Sequence, residues 1–335
     1  MKVLVLGGTR FLGRHIVEAL AARGHEVVAF HRGETRCELP DGVEERFGDR
    51  NSDLSAVQEE TWDATVDVAA YEPDQVRRAL ELRTARYLFI STVNVYEDLS
   101  KPGISEEWPT IESFDPSEES LIYGGKKAAC ERLVLERFPE SSIILRPGLI
   151  VGRWDPTGRF TYWCERMLRG GPYLAPKPQA RPVQLVDAAD VAHFAERALT
   201  HDLFGTYNVV GPRDAITFAE VLDQCARAAA RRHAPPAEAV WVDGEFLAHN
   251  GVQEWIEMPL WLADPKYAGI LQASNAAAIR TGFELRPLGE TVDAILEWTA
   301  AEPGGHRVAG LSEEREHELL AKLRDAPGAC APPTR

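Results

Sequence analysis

The sequence predicts an α/β protein, a doubly wound parallel sheet followed by a smaller, mostly helical C-terminal lobe. Three observations carry that reading. An apolar run, Lys2 to Leu6, enters the segment Gly7-Gly8-Thr9-Arg10-Phe11-Leu12-Gly13 without a spacer. Short apolar strands then alternate with helical patterns as far as Arg146, the layout of consecutive β-α-β units. From Pro147 the chain is dense in Gly, Pro and Trp, and beyond Gly211 it is mostly helical in pattern.

Lys2–Leu6 reads as a buried strand. Gly13 to Arg23 reads as a helix with Phe11, Leu12, Ile16, Ala19 and Leu20 on one stripe and Gly24 as its stop. Glu26 to Phe30 is a second strand ending at His31-Arg32-Gly33, and Val43 to Phe47 a third ending at Gly48-Asp49-Arg50. Thr65–Ala69 and Tyr87–Ile90 follow as strands, with Pro73–Arg83 a helix between them. Leu99 to Glu119 is polar and proline-rich, a surface loop; Ser120 to Phe138 is helical until Pro139, and Ser142–Arg146 is a sixth strand. Val183–Val186 and Thr206–Val210 look like further core strands around the helix Ala188–Leu199, which Asp187 and Asp190 cap. Thr291–Trp298 and Ser312–Arg324 are late helices, and Ala326–Arg335 a frayed tail. The expected organisation is a sheet domain over 1–147 to which 183–210 returns, a second lobe of 148–182 and 211–311, and a terminal segment 312–335.

Composition narrows the class. The chain has 335 residues, 44% of them hydrophobic, and no apolar run near the length a membrane helix needs. Met1 leads directly into a strand, which leaves no room for a signal peptide. Five scattered cysteines, Cys37, Cys130, Cys164, Cys225 and Cys330, fit reduced thiols, and the nine histidines show no ligand spacing, so no metal is expected. A net charge of −15 opposes nucleic-acid binding. The expectation is a cytoplasmic protein with a small-molecule substrate, no nucleic acid and no membrane.

A strand, a glycine turn and a helix in succession form a dinucleotide phosphate site, because glycine lets the backbone approach a pyrophosphate and the helix supplies free N–H donors. The spacing here has Arg10 where a middle glycine is expected. Right-handed crossovers place Gly7, His31, Asp49, Ala70 and Ser91 on one sheet edge, where ligands bind. Tyr123 and Lys127 lie four apart on a helix and share a face. A neighbouring ammonium is expected to pull the Tyr123 pKa down towards working pH, making the phenol a proton donor or acceptor at a carbonyl or carbinol oxygen. Thr92, at the end of the fifth strand, can hold that oxygen.

The stretches GGTRFLG, GDR at Gly48, VAAY at Val68, ISTVNVYE at Ile90, YGGKK at Tyr123, LRPGLIVG at Leu145, QLVDAADVA at Gln184 and YNVVGP at Tyr207 resemble, in order, the extended short-chain dehydrogenase/reductases. The similarity covers roughly residues 1 to 300. It implies a Rossmann core for NAD(H) or NADP(H), with the substrate between core and C-terminal lobe. Carried over, Tyr123 resembles the acid/base, Lys127 its pKa-lowering and ribose-binding partner, and Thr92 the family's Ser or Thr. The resemblance puts Gly7, Gly8, Thr9, Arg10, Phe11, Leu12 and Gly13 around the pyrophosphate. Asp49, with Arg50 beside it, meets the adenine; Ala69 and Ala70 pass beneath the adenosine; Pro147 flanks the nicotinamide. Asn94, Tyr96, Trp154 and Arg181 are the candidate substrate contacts. Pro73–Arg83 and Ser120–Phe138 are the helices that form a homodimer interface in such proteins.

Departures from the family pattern bear on the reaction. Dehydratases that act on nucleotide sugars carry Thr-Asp-Glu where this chain has Thr92-Val93-Asn94. Sugar-nucleotide epimerases often carry an asparagine where Leu149 stands, and Trp261–Ala268 lacks their Arg-Pro-Gly-Asp stretch. NAD-preferring members place an acid at the end of the second strand; here His31 and Arg32 stand there, with no acid before Glu34. Arg10 and Arg32 together suit a 2′-phosphate. The leading expectation is an NADP(H)-dependent oxidoreductase, with NAD(H) as the alternative cofactor. An NDP-sugar epimerase with tightly held NAD is the second reading, and a non-catalytic nucleotide- or RNA-binding member the third.

Overall fold

The computed structural model describes residues 1–35, 37–113, 119–212, 214–302 and 309–325. In its larger unit, β1 (Lys2–Leu6), β2 (Glu26–His31), β3 (Glu44–Phe47), β4 (Ala64–Asp67), β5 (Tyr87–Ile90) and β6 (Ser142–Pro147) follow one another. A side ladder pairs β7 (Leu149–Val151) in parallel with β8 (Leu185–Asp187), and β9 (Gly205–Val209) returns to the main sheet. The main sheet has the order β9-β6-β5-β4-β1-β2-β3, with every adjacent pair parallel. Strand order reverses between β1 and β4, and such a switch point is where doubly wound sheets bind ligands.

Alternation along β1 explains the two layers. Val3 and Val5 pack with Ile16, Val17 and Leu20 of α1 (Phe11–Ala22) and, in the same cluster, Val191 and Ala195 of a later helix, Ala188–Thr200. Leu4 and Leu6 face Val76 of α2 (Pro73–Ala79) and Cys130 and Val134 of α3 (Glu119–Arg137). The start of α2 is fixed by Pro73 in its first turn and a capping box between Glu72 and Gln75. Asp187 caps α4 (Ala188–Thr200) by accepting from the Ala189 N–H at 2.8 Å. Asp190 instead accepts from the Arg286 backbone and guanidinium, at 3.0 and 2.7 Å.

The second unit comprises 155–183, 216–264 and 287–335. Helices Arg159–Arg169, Phe218–Arg231, Leu288–Ala301 and Glu313–Asp325 accompany a two-stranded parallel ladder of Gly171–Pro176 and Ala237–Val242. Edge-to-face contacts of Trp163 with Tyr162, Tyr173 and Phe218 fill its interior. A buried ion pair, Arg166 Nε to Glu316 Oε2 at 2.7 Å, holds the last helix. Cys164 and Cys225 meet there as free thiols, 3.9 Å apart.

Several boundaries differ from expectation. The first unit runs on to Trp154 and takes in 184–215 and 265–286, whereas 148–154 and 265–286 were assigned to the other lobe; 312–325 belongs to the second unit. The backbone of Gly269 hydrogen-bonds Leu99, and Gln184 bonds Gly211, Pro212 and Ala273, which draws those segments onto the sheet. The strand read at Val183–Val186 is shifted to Leu185–Asp187 and lies outside the main sheet, because its partner is Leu149–Val151. Cys330 and the tail Ala326–Arg335 lie outside the described residues. Among the described residues, no helix is long and apolar enough to cross a membrane.

Candidate cofactor and catalytic site

β1 ends in Gly7, whose φ of +96° is a left-handed conformation that favours glycine. A Cβ on Gly7 would lie 2.6 Å from Ala69 Cβ, one on Gly8 2.8 Å from Val17 Cγ2, and one on Gly13 2.0 Å from the Gly7 carbonyl oxygen. These glycines let β1, the Ala69 strand end and α1 close on one another. Arg10 is the N-cap of α1 in an extended conformation, φ −129° and ψ 142°, so no glycine is required at that position. No side chain caps α1 and no acid lies in its first turn, which leaves its N–H donors and positive end for an anion. The loop fits a dinucleotide pyrophosphate.

At the β2 end, His31 Nδ1 accepts from the Gly33 N–H at 3.1 Å, so Nε2 carries the proton and donates to Glu45 at 2.9 Å. Arg32 is exposed and pairs with Glu34 at 2.7 Å. Arg10 is exposed and makes no ion pair among the described residues. Asp49 Oδ1 accepts from the backbone and side-chain N–H groups of Asn51 at 2.9 and 2.7 Å. Those bonds hold its carboxyl below the usual range, with the Arg32 and Arg78 guanidinium groups adding to the effect. Arg50, which the resemblance places beside the adenine, is engaged elsewhere. Its guanidinium is bidentate on the fully buried Asp67, at 2.6 and 2.7 Å, and reaches Gln75 O, so it braces the sheet instead of facing a cofactor.

Thr92 follows β5 and opens a 3-10 turn, Val93–Val95, by accepting from the Asn94 N–H at 3.2 Å. The Asn94 side-chain amide donates to the same Thr92 Oγ1 at 3.1 Å, so one of its N–H groups supports Thr92. Tyr123 and Lys127 sit on α3, which approaches this turn so closely that a Cβ on Gly124 would be 2.0 Å from the Asn94 carbonyl oxygen. The Thr92 hydroxyl is near enough to the Tyr123 phenol to lower its pKa.

Electrostatics here contradict the sequence expectation. Burial of its phenol pushes the Tyr123 pKa up to about 12, and the Tyr71 phenol adds to that; the Thr92 hydroxyl offsets only part. The residue as a whole is still 42% exposed. Lys127 makes no hydrogen bond to Tyr123 among the described residues. Its buried ammonium donates to Ala70 O at 2.8 Å and Ile90 O at 2.5 Å and lies over the Phe89 ring at 4.2 Å. Burial lowers its own pKa to about 8, against the raising influence of Asp67.

That value fixes a measurable sign. Between about 8 and the ordinary 10.5, the folded chain holds Lys127 neutral while the unfolded chain keeps it protonated. The unfolded state then binds the extra proton, so this residue's contribution to stability rises with pH across that window and is flat below it. Urea denaturation of wild type and Lys127→Met should show a difference in unfolding free energy that grows in favour of wild type from about pH 8 upwards. A difference that shrinks with pH would contradict this environment.

The other candidates divide. Pro147 is buried at the end of β6, and the Ala70 carbonyl holds Lys127. Tyr96 was expected at a substrate and is instead fully enclosed, donating to Asn208 Oδ1 at 2.7 Å and accepting from Arg146 at 2.9 Å. The Trp154 ring is covered by the guanidinium groups of Arg14 and Arg153, 3.6 and 4.4 Å from its centroid, and packs on His15, which takes it into the α1 surface. Arg181 belongs to the second unit, where its guanidinium donates to the Leu262 and Lys177 carbonyls. Two exposed aromatics at the site were missed. Tyr71 lies 6.4 Å from the Tyr123 ring, and Phe47 stands edge-on to His31 at 5.1 Å. Both stand beside motif residues already singled out, and an aromatic at an exposed strand end was the available signal. Among the described residues no cluster of His, Cys, Asp and Glu could hold a metal.

A parallel doubly wound sheet with a glycine loop at its switch point, and Thr92, Tyr123 and Lys127 at the same edge, defines a Rossmann-type protein of the extended short-chain dehydrogenase/reductase class. A family model, the NAD dependent epimerase/dehydratase family, matches residues 3–79 and 48–211, and the chain belongs to that family. Among curated proteins it is similar to the chloroplast stem-loop binding protein of 41 kDa b of Arabidopsis thaliana, 25% identical over 247 residues, or 68% of this chain and 63% of that protein. The chain thus spans less than two thirds of that relative's length. A UDP-glucose 4-epimerase structure superposes with a TM-score of 0.67 over 91% of this chain and 99% of that one at 19% identity. The Bordetella bronchiseptica enzyme WbmH in complex with NAD+ does so with a TM-score of 0.65 over 91% and 99% at 20% identity. At those identities the two structures establish the fold alone.

Proposed function

We propose that the chain is an NADP(H)-dependent oxidoreductase that interconverts a carbonyl and an alcohol on a small-molecule substrate. The observation that carries this is the close approach of the Thr92 turn to the helix of Tyr123 and Lys127, where a Cβ on Gly124 would be 2.0 Å from the Asn94 carbonyl oxygen, at the sheet edge that bears the glycine loop. When bound, the nicotinamide supplies or accepts the hydride. Tyr123 gives its proton to the carbonyl oxygen as that oxygen gains charge, and Thr92 orients the oxygen. Lys127 commits two of its three N–H donors to Ala70 and Ile90 and keeps the third for a ribose hydroxyl. A phenol held near 12 is protonated at neutral pH, which suits it to reduction, where it acts as the acid.

Support for NADP(H) comes from the absence of an acid at the β2 end before Glu34 and from the exposed Arg10 and Arg32 guanidinium groups. Glu34 competes with a 2′-phosphate for Arg32. Arg32→Ala should weaken NADPH binding roughly tenfold while leaving NADH unchanged, and Glu34→Gln should tighten NADPH alone. Fluorescence titration of both cofactors on the three proteins tests this; tighter NADH binding that is indifferent to Arg32 would end it.

The second reading, a sugar-nucleotide epimerase with retained NAD, is favoured by the sugar epimerases among the similar structures. Against it, Arg181, one of the candidate substrate contacts, is engaged by two carbonyl groups. Steady NADPH consumption on a non-sugar ketone by protein purified without bound cofactor selects the reductase; tightly bound NAD with no net consumption selects the epimerase. The plant relative is named for stem-loop binding, but a net charge of −15 opposes RNA.

A further inference from the structure

Behind Thr92 and Tyr123 runs a chain of buried polar side chains: Ser91, Glu131, Arg146, Tyr96 and Asn208. Arg146 donates from Nε and Nη2 to the two carboxylate oxygens of Glu131, at 2.9 and 2.6 Å, and from Nη1 to the Tyr96 hydroxyl at 2.9 Å. Ser91 Oγ donates to Glu131 Oε1. Tyr96 donates to Asn208 Oδ1 at 2.7 Å, and Asn208 Nδ2 donates to the Ile104 and Ser274 carbonyl groups at 3.2 Å each. The Asn208 backbone N–H is taken by Glu106 at 2.7 Å.

Connectivity gives this chain its meaning. Ser91 immediately precedes Thr92, Tyr96 closes the turn that Thr92 opens, and Glu131 is one helical turn beyond Lys127 and two beyond Tyr123 on the same side of α3. Glu131, on the helix that carries Tyr123, therefore holds the Ser91 end of the Thr92 turn directly and the Tyr96 end through the Arg146 guanidinium. Gly124 permits the close approach that such a tie maintains. A buried ion pair stabilises a fold little better than well-packed apolar side chains of the same volume, whereas its fork geometry fixes where its partners sit.

We propose that Arg146 and Tyr96 are positioning residues, holding the Thr92 hydroxyl against the Tyr123 phenol through the turn between Ser91 and Tyr96. This rests on the reading that Thr92 and Tyr123 do the chemistry, but its test needs no turnover. Tyr96→Phe keeps the ring and deletes only the hydroxyl that joins Arg146 to Asn208. With 3-fluorotyrosine placed at position 123 of the full chain, ¹⁹F NMR follows titration of that phenol directly. Because the Thr92 hydroxyl lowers the phenol pKa, Thr92→Ala should raise the titration midpoint. Tyr96→Phe should raise it by a comparable amount, with the double variant no higher than Thr92→Ala alone. Arg146→Lys, which keeps the charge and loses the fork, should raise it as well and serves as the second variant. A thermal melt of each variant reports stability separately. An unmoved midpoint in Tyr96→Phe, or a shift that adds in full to that of Thr92→Ala, overturns the proposal. Absent turnover, or activity that survives Tyr123→Phe, would instead overturn the reaction assignment and leave this midpoint result as it stands.

Discussion

Tyr123→Phe should lower turnover by roughly two to four orders of magnitude, the range a positioned general acid contributes, while cofactor affinity stays within about twofold of wild type. The substitution removes one hydroxyl from a residue that is 42% exposed, so the fold is retained. What disappears is the proton donor beside Thr92. Initial rates of NADPH oxidation on a ketone substrate, with a parallel fluorescence titration of cofactor, separate the two effects. Because the phenol is held near 12, wild-type reduction should show no loss from Tyr123 ionisation up to about pH 10. Thr92→Ala should cost less, since it removes an orienting bond and leaves the proton in place. Turnover retained in full by Tyr123→Phe would remove the chemical assignment and leave only a dinucleotide-binding fold.

The sheet was legible because its central strands are buried on both faces and read as short apolar runs between turn signals, whereas the charged edge strand Glu44–Phe47 is mostly exposed. Five of the seven main strands, counting from Lys2–Leu6 to Tyr87–Ile90, follow one another with little intervening chain. The side ladder was not, since Leu185–Asp187 finds its partner through a long-range pairing with Leu149–Val151 that no local pattern encodes. At the site, motif spacing located Thr92, Tyr123 and Lys127 but not where their polar atoms point. A helix puts residues four apart on one face, yet Lys127 turns inwards and gives its ammonium to two carbonyl groups. Arg50 and Tyr96 were misassigned for the same reason. Each stands beside a motif residue, and each has a buried partner far away in sequence, Asp67 for one and Asn208 for the other. Polar residues next to a glycine or a catalytic hydroxyl are as often the supports of a site as its surface, and only their partners distinguish the two.

Gly13→Ala is expected to destabilise the chain by about 3 kcal/mol or more, at or beyond the top of the usual range for overpacking, and to abolish cofactor binding in whatever protein remains folded. Its added methyl carbon would lie 2.0 Å from the Gly7 carbonyl oxygen, 3.0 Å from the carbonyl carbon and 3.3 Å from Gly8 Cα, all backbone atoms of the loop. No rotamer change relieves contacts of that kind. Either α1 withdraws from β1, opening the layer formed by Val5, Ile16 and Val17, or the loop distorts at Gly7. Both outcomes displace the α1 N-terminus that supplies donors to a pyrophosphate. Gly24→Ala is the matched control. Gly24 also has a positive φ, +75°, but a Cβ there meets nothing within 4 Å, so its cost is confined to backbone strain of about 1 kcal/mol. Thermal melts of the two variants, each with and without a saturating concentration of NADPH, should therefore diverge twice. Gly13→Ala should melt well below Gly24→Ala, and only Gly24→Ala should gain stability from the cofactor, because binding raises the melting point only of a chain that still has the site. Equal melting points with equal gains would mean that the glycine loop is not what joins the first strand, the first helix and the dinucleotide.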